Sequence, residues 1–93
     1  MAMTQFPTLS SLMAEMIADM KRICREQKTP TTWQQKFCYA EPYIQALRTL
    51  DNPTDYYGCE QGKYLINYLL ANLAQYRGEK AKEIKKILKE MAK

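Results

Sequence analysis

The sequence predicts an all-α domain: a small bundle of three to five helices, the second kinked or broken at Pro42. Three observations predict it. Apolar residues recur at helical spacing along most of the chain. Glycine and proline are few, three and four in 93 residues, which disfavours a turn-rich β fold. No stretch alternates polar and apolar residues at a period of two, and no internal repeat or low-complexity segment is present. A chain of this length reads as one domain, 1–93. Folding at this size buries roughly 60–65% of the unfolded surface, enough for a single core with little room beside it for a deep active site.

The first element is expected over residues 9–27. Leu9, Leu12, Met13, Met16, Ile17, Met20, Ile23 and Cys24 fall on one helical stripe. Thr8 or Ser10 suits its N-cap. Lys28, Thr29 and Pro30 end it, because the residue before a proline is pushed out of the α region. Residues 1–7, with Met1 and Pro7 at their ends, read as a loose N-terminus. Thr32 with Gln35 three residues on is a capping box for the second helix. Trp33, Phe37, Ala40, Ile44 and Leu47 hold one face across Pro42, which argues for a kinked helix or two collinear pieces. Tyr39, Tyr43 and Leu50 widen that apolar arc.

Residues 51–55 are a turn by composition. A third helix is expected to run from there to Arg77, with Cys59, Gly62, Leu65, Ile66, Leu69, Leu70 and Leu73 as its core stripe. Gly62, on that stripe, marks a close helix–helix contact. Gly78 is either the residue that ends this helix or a tolerated glycine inside one long helix over 58–92. The last element, residues 79–93, is a basic amphipathic helix.

Charge is distributed unevenly. Residues 77–93 hold seven Lys/Arg and three Glu, which is the entire net charge of +4, whereas residues 1–76 hold seven of each sign. On a helix, Lys82, Lys85, Lys86, Lys89 and Lys93 share an arc of about 100°. Ile84, Ile87, Leu88 and Met91 lie opposite, and Glu79, Glu83 and Glu90 flank the lysines. Such a helix suits docking on the bundle with its lysines in water. Glu83–Lys86, Lys86–Glu90 and Glu90–Lys93 would each support it. The same lysines are the candidate phosphate contacts if the partner is nucleic acid. The glutamates and the use of Lys rather than Arg count against base reading.

Two further patterns concern surfaces. The chain has seven tyrosines. Tyr57, Tyr64 and Tyr68 are expected on the side of the third helix away from its leucines. A tyrosine ladder on an otherwise polar face suits a protein partner, because each ring brings area at low entropic cost plus a hydroxyl. Coverage by another helix would instead make these rings part of the core. Met13, Met16 and Met20 form a polarizable stripe that fills a core or lines an adaptable groove.

Several function classes are disfavoured. With no histidine and three scattered cysteines, Cys24, Cys38 and Cys59, neither a metal site nor a disulfide framework is expected. Reduced thiols packed as small hydrophobes fit a cytoplasmic setting, as does the lack of a signal-peptide pattern in residues 1–7. The longest apolar stretch, 64–74, contains Asn67 and Asn72 and is far short of the ~20 residues that span a bilayer. No carboxylate pair sits on an apolar face and no glycine-rich phosphate loop occurs, so no catalytic residue and no cofactor are expected.

Leu70, Ala71 and Asn72, then Tyr76, Arg77, Gly78, Glu79, Lys80, Ala81 and Lys82, then Ile84, Lys85, Leu88 and Lys89 resemble the tail of short α-helical proteins of bacterial phages and mobile elements. There a Leu-Ala-Asn segment leads through an aromatic-Arg-Gly-Glu into a lysine-rich helix. The resemblance covers about twenty residues. It implies a bacterial or phage cytosolic context and carries over no activity and no site residue. The expectation is therefore a small non-catalytic interaction protein. It would bind a protein partner or itself, with nucleic-acid binding through the tail lysines as the alternative and no membrane contact.

Overall fold

The computed structural model describes residues 7–28 and 31–93. The expectations for the loose N-terminus over 1–6 and for Thr29 and Pro30 lie outside the described residues. Helix α1 (Leu9–Glu26) buries Leu9, Leu12, Met13, Met16, Ile17, Met20 and Cys24, and it also buries Asp19. The Thr8 hydroxyl accepts from the Ser11 amide at 3.2 Å. The next orphan amides, Leu9 and Ser10, donate to the carbonyls of Asp51 and Leu50 at 2.9 and 2.8 Å, so the helix start is stitched to the 50–51 turn.

Thr32 and Gln35 form the full capping box of α2 (Trp33–Lys36). The break in the second helix lies over residues 37–40, just upstream of Pro42. That proline sits in the first turn of α3 (Glu41–Leu47), where its missing amide costs nothing. Trp33, Phe37, Ala40, Ile44 and Leu47 nonetheless all reach the core. Tyr39 does not: it is 75% exposed in the turn, while Tyr43 packs on the core edge.

The 51–55 turn is closed by the Asp55 carboxylate, which accepts from the amides of Asp51 and Asn52 at 3.1 and 2.9 Å. The chain then departs from a purely helical fold. Tyr56–Tyr57 (β1) and Glu60–Gln61 (β2) form an antiparallel hairpin, with Tyr56 opposite Gln61 and Tyr57 opposite Glu60. Gly58 takes φ 63° at the first central position of the two-residue turn, the pattern of a type II′ hairpin. This corrects the all-α expectation to a mostly helical fold with a small two-stranded sheet. It also moves Tyr57 and Cys59 off the third helix. Cys59 is exposed in the turn instead of contributing to the core stripe.

Helix α4 (Gly62–Ala71) buries Gly62, Leu65, Ile66 and Leu69. A Cβ on Gly62 would lie 3.1 Å from the Pro53 carbonyl oxygen and 3.2 Å from that of Asn52, so the close approach is to the 50–53 turn and not to another helix. The helix stops six residues short of Arg77. The Asn72 side chain donates to the Tyr68 carbonyl at 2.8 Å and takes over a terminal acceptor. Residues 72–78 then place Leu73 and Tyr76 in the core. Gly78, at φ 119° and ψ 178°, is the N-cap of α5 (Glu79–Met91) and neither ends a preceding helix nor lies within one. α3 packs on α4, α4 on α5, and α1 on α2, α3 and α5, in a body of 44 × 34 × 19 Å. The short dimension is about two helix diameters, so each helix keeps one side in water.

Candidate functional site

Helix α4 separates its side chains by period. Leu65, Ile66 and Leu69 face the core, and Tyr64 and Tyr68, one turn apart on the other side, are 49% and 47% exposed. The Tyr68 ring packs at 5.8 Å on Tyr43 of α3, tilted by 39°. The Lys63 ammonium stands 5.3 Å over the Tyr64 ring. Tyr57 is half-exposed too, but on the hairpin leading into the helix. The structure thus sets Tyr68 against Tyr43, with Tyr64 one turn before it on the same helix. Sequence periodicity missed two exposed rings, Tyr56 and Tyr39. Tyr39 sat in the apparent apolar arc of the second helix, and its place three residues before Pro42 was the available signal of a turn.

Next to this face, Lys36 at the end of α2, Phe37 and Tyr39 from the α2–α3 turn, Ala71 at the end of α4 and Asn72, Ala74 and Gln75 from the connection after it line a cavity of about 180 Å³. Phe37 meets the Tyr76 ring edge-on at 5.9 Å.

On α5, Ala81, Ile84, Leu88 and Met91 are buried, and Ile87 packs against the core. Lys82, Lys86, Lys89 and Lys93 are exposed and Lys85 is half-buried. Of the three expected pairs within the helix, Glu90–Lys93 is formed, at 2.8 Å. That bond, then the Lys93 charge, lowers the Glu90 pKa. The first turn instead reaches across to α1, where Lys80 donates to Glu15 at 2.7 Å and its own pKa rises for that reason. Lys85 leans the other way, 6.0 Å from the Tyr76 ring. Burial first, then repulsion from Arg77 and Lys89, lowers its pKa.

The Asp19 carboxylate is the one buried charge among the described residues, and the sequence pattern did not single it out. It accepts from the Tyr76 hydroxyl and from Arg22, whose pKa is raised by its bonds to Asp19 and then to Glu26. Among the described residues, no three of Cys, Asp and Glu are grouped to hold a metal ion. No helix of the described residues is long and apolar enough to cross a membrane.

No family model, no curated protein and no solved structure matches this chain. The functional reading rests on the geometry of its own residues.

Proposed function

We propose that this chain is a non-catalytic interaction protein of the cytoplasm that binds a protein partner through the tyrosine face of α4. The observation that supports the reading is the side-by-side exposure of Tyr64 and Tyr68 on a helix whose other face is committed to the core. The Tyr68 ring already packs on Tyr43, so it loses little freedom on binding. Such rings are the side chains that dominate protein interfaces. A photo-crosslinking benzophenone residue placed at position 64 or 68 should form adducts with a protein, and the same residue at the exposed position 26 should not. Equal labelling at all three positions would overturn the reading.

A second reading, nucleic-acid binding through Lys82, Lys85, Lys86, Lys89 and Lys93, is supported by the exposure of Lys82, Lys86 and Lys89 along α5 and of Lys93 just beyond it. It requires affinity for an oligonucleotide that falls steeply with salt and is lost in Lys82→Glu/Lys86→Glu.

A further inference from the structure

The lining of the cavity beside Tyr39 contains a cation, Lys36, and no carboxylate. In the wider groove between α1 and the start of α5, charges cancel locally: Arg22 pairs with Asp19 and Glu26, and Lys80 with Glu15, each at 2.7–2.8 Å. The cavity under Phe37 and Tyr39 has no lining carboxylate to face the lining cation. Lys36 lines it and lies 5.8 Å over the Phe37 ring. The Arg77 guanidinium is anchored by Nε to the carbonyl of Ala74, a lining residue, at 3.2 Å. Lys85 reaches the ring of Tyr76, which packs on Phe37. Among the described residues, none of Lys36, Arg77, Lys85 and Lys89 forms an ion pair with a carboxylate. Arg77 and Lys89 are close enough to Lys85 to lower its pKa. Lys36 in the lining and Arg77 on the carbonyl of Ala74, with no carboxylate in the lining, leave positive charge beside an apolar cavity that an anionic partner would neutralise.

We infer that the cavity between Phe37–Tyr39 and Ala71–Gln75 docks an acidic protein segment, with one apolar side chain entering between Phe37 and Ala74 and carboxylates meeting Lys36, Arg77 and Lys85. The inference rests on the protein-partner reading and names the partner's chemistry. Three features favour an acidic peptide over nucleic acid. The cavity, about 180 Å³, has the dimensions of a single side chain. Its apolar lining comes from alanine methyls, a Phe37 ring already engaged by Tyr76 and Lys36, and Tyr39, which leaves one open ring and not the row of rings on which successive bases stack. Tyr68 and Ala71 are three residues apart on α4, so the cavity continues the tyrosine face and one extended segment can cover both.

The test is an amide-resolved NMR titration of the full chain. The probes are a synthetic peptide alternating Glu with Leu and Phe, the same peptide with Lys for Glu, and a single-stranded oligonucleotide. The acidic peptide should shift residues 36–39 and 71–77 saturably. It should bind about tenfold more weakly to Lys36→Glu/Lys85→Glu and with unchanged affinity to Lys82→Glu/Lys86→Glu. Lys36 and Lys85 are partly exposed, and the spectrum itself reports whether each variant folds. Equal binding of the lysine peptide, or tighter binding of the oligonucleotide at residues 36–39, would overturn the inference. Crosslinking at position 64 to a protein, combined with no shift from the acidic peptide, would reject the acidic partner and keep the protein-partner reading. Loss of both would reject both.

Discussion

The Tyr76 hydroxyl donates to Asp19 Oδ2 at 2.8 Å across 57 residues of sequence. Arg22 donates from Nε and Nη2 to the other oxygen of the same carboxylate, at 3.0 and 2.8 Å. Tyr76 is fully buried and Asp19 is 9% exposed, so the bond is made away from water. It ties the irregular connection before α5 to the middle of α1. A hydrogen bond to a charged group contributes about 1.5–3 kcal/mol, and a buried acceptor left unmatched costs a comparable amount. Tyr76→Phe should therefore lower the unfolding free energy by about 2 kcal/mol in urea denaturation, with an unchanged denaturant slope. Asp19→Asn should cost about 1 kcal/mol less in the Tyr76→Phe background than alone. Additive losses would show that the two residues are not coupled.

The same contact sets a response to alkali. Burial first, then the Asp19 bond and charge, hold the Tyr76 phenol protonated well above its ordinary pKa of 10.0. Below that value the phenol is neutral in both folded and unfolded chains, and its contribution is complete. Above it the unfolded chain releases the proton and the folded chain keeps it. Stability then falls by up to about 1.4 kcal/mol per pH unit. Tyr76→Phe lacks this group, so the stability gap between wild type and variant should narrow between about pH 9 and about pH 11. A gap that stays constant over that window would mean that Tyr76 titrates alike in both states.

Two glycines are required for different physical reasons. A Cβ at Gly78 would touch nothing within 4 Å, but the backbone there has φ 119° and ψ 178°, a conformation that only glycine adopts readily. Gly62 has ordinary dihedrals for a helix start, but its Cβ would press on two backbone carbonyls of the 52–53 turn. Gly78→Ala should cost about 1–3 kcal/mol through strain alone. Its amide spectrum should change only near the start of α5. Gly62→Ala should cost about 1 kcal/mol or more through overpacking, with shifts over residues 50–55. Perturbations in the reverse pattern would contradict these assignments.

These glycines also show what the sequence made legible. Helical stripes such as Leu9 to Cys24 depend on local period and were readable, as was the Thr32–Gln35 capping box. The Tyr57-Gly58-Cys59-Glu60 hairpin carried a local signal, tyrosines before a glycine turn, but it is too short to produce alternation. The end of α4 at Ala71 carried almost none. No Gly or Pro lies within 72–77, and the break is favoured by contacts of Tyr76 with Asp19 and Phe37, far away in the chain. Long-range pairing of this kind overrides helix propensity and leaves no periodic trace. Tyr64 and Tyr68 could be read as a face from spacing alone, because α4 is regular there. The cavity beside Tyr39 could not, because it joins a turn to a helix end.

The cysteines test the surface assignments at both turns. Cys24 is 7% exposed among core residues of α1, whereas Cys38 and Cys59 are exposed, in the α2–α3 turn and in the hairpin turn. The expectation that all three pack as small hydrophobes therefore holds only for Cys24. An aromatic disulfide reagent should label two thiols of the native protein rapidly and the third at a rate set by opening of the fold. Cys59→Ser should remove one rapid phase and leave stability within about 0.5 kcal/mol. Cys24→Ala should leave both rapid phases and lower stability by about 1 kcal/mol through loss of buried volume. Mapping the rapid labels by peptide mass spectrometry decides the matter. A native protein with Cys59 protected would place residues 58–61 back on a helix and remove the hairpin.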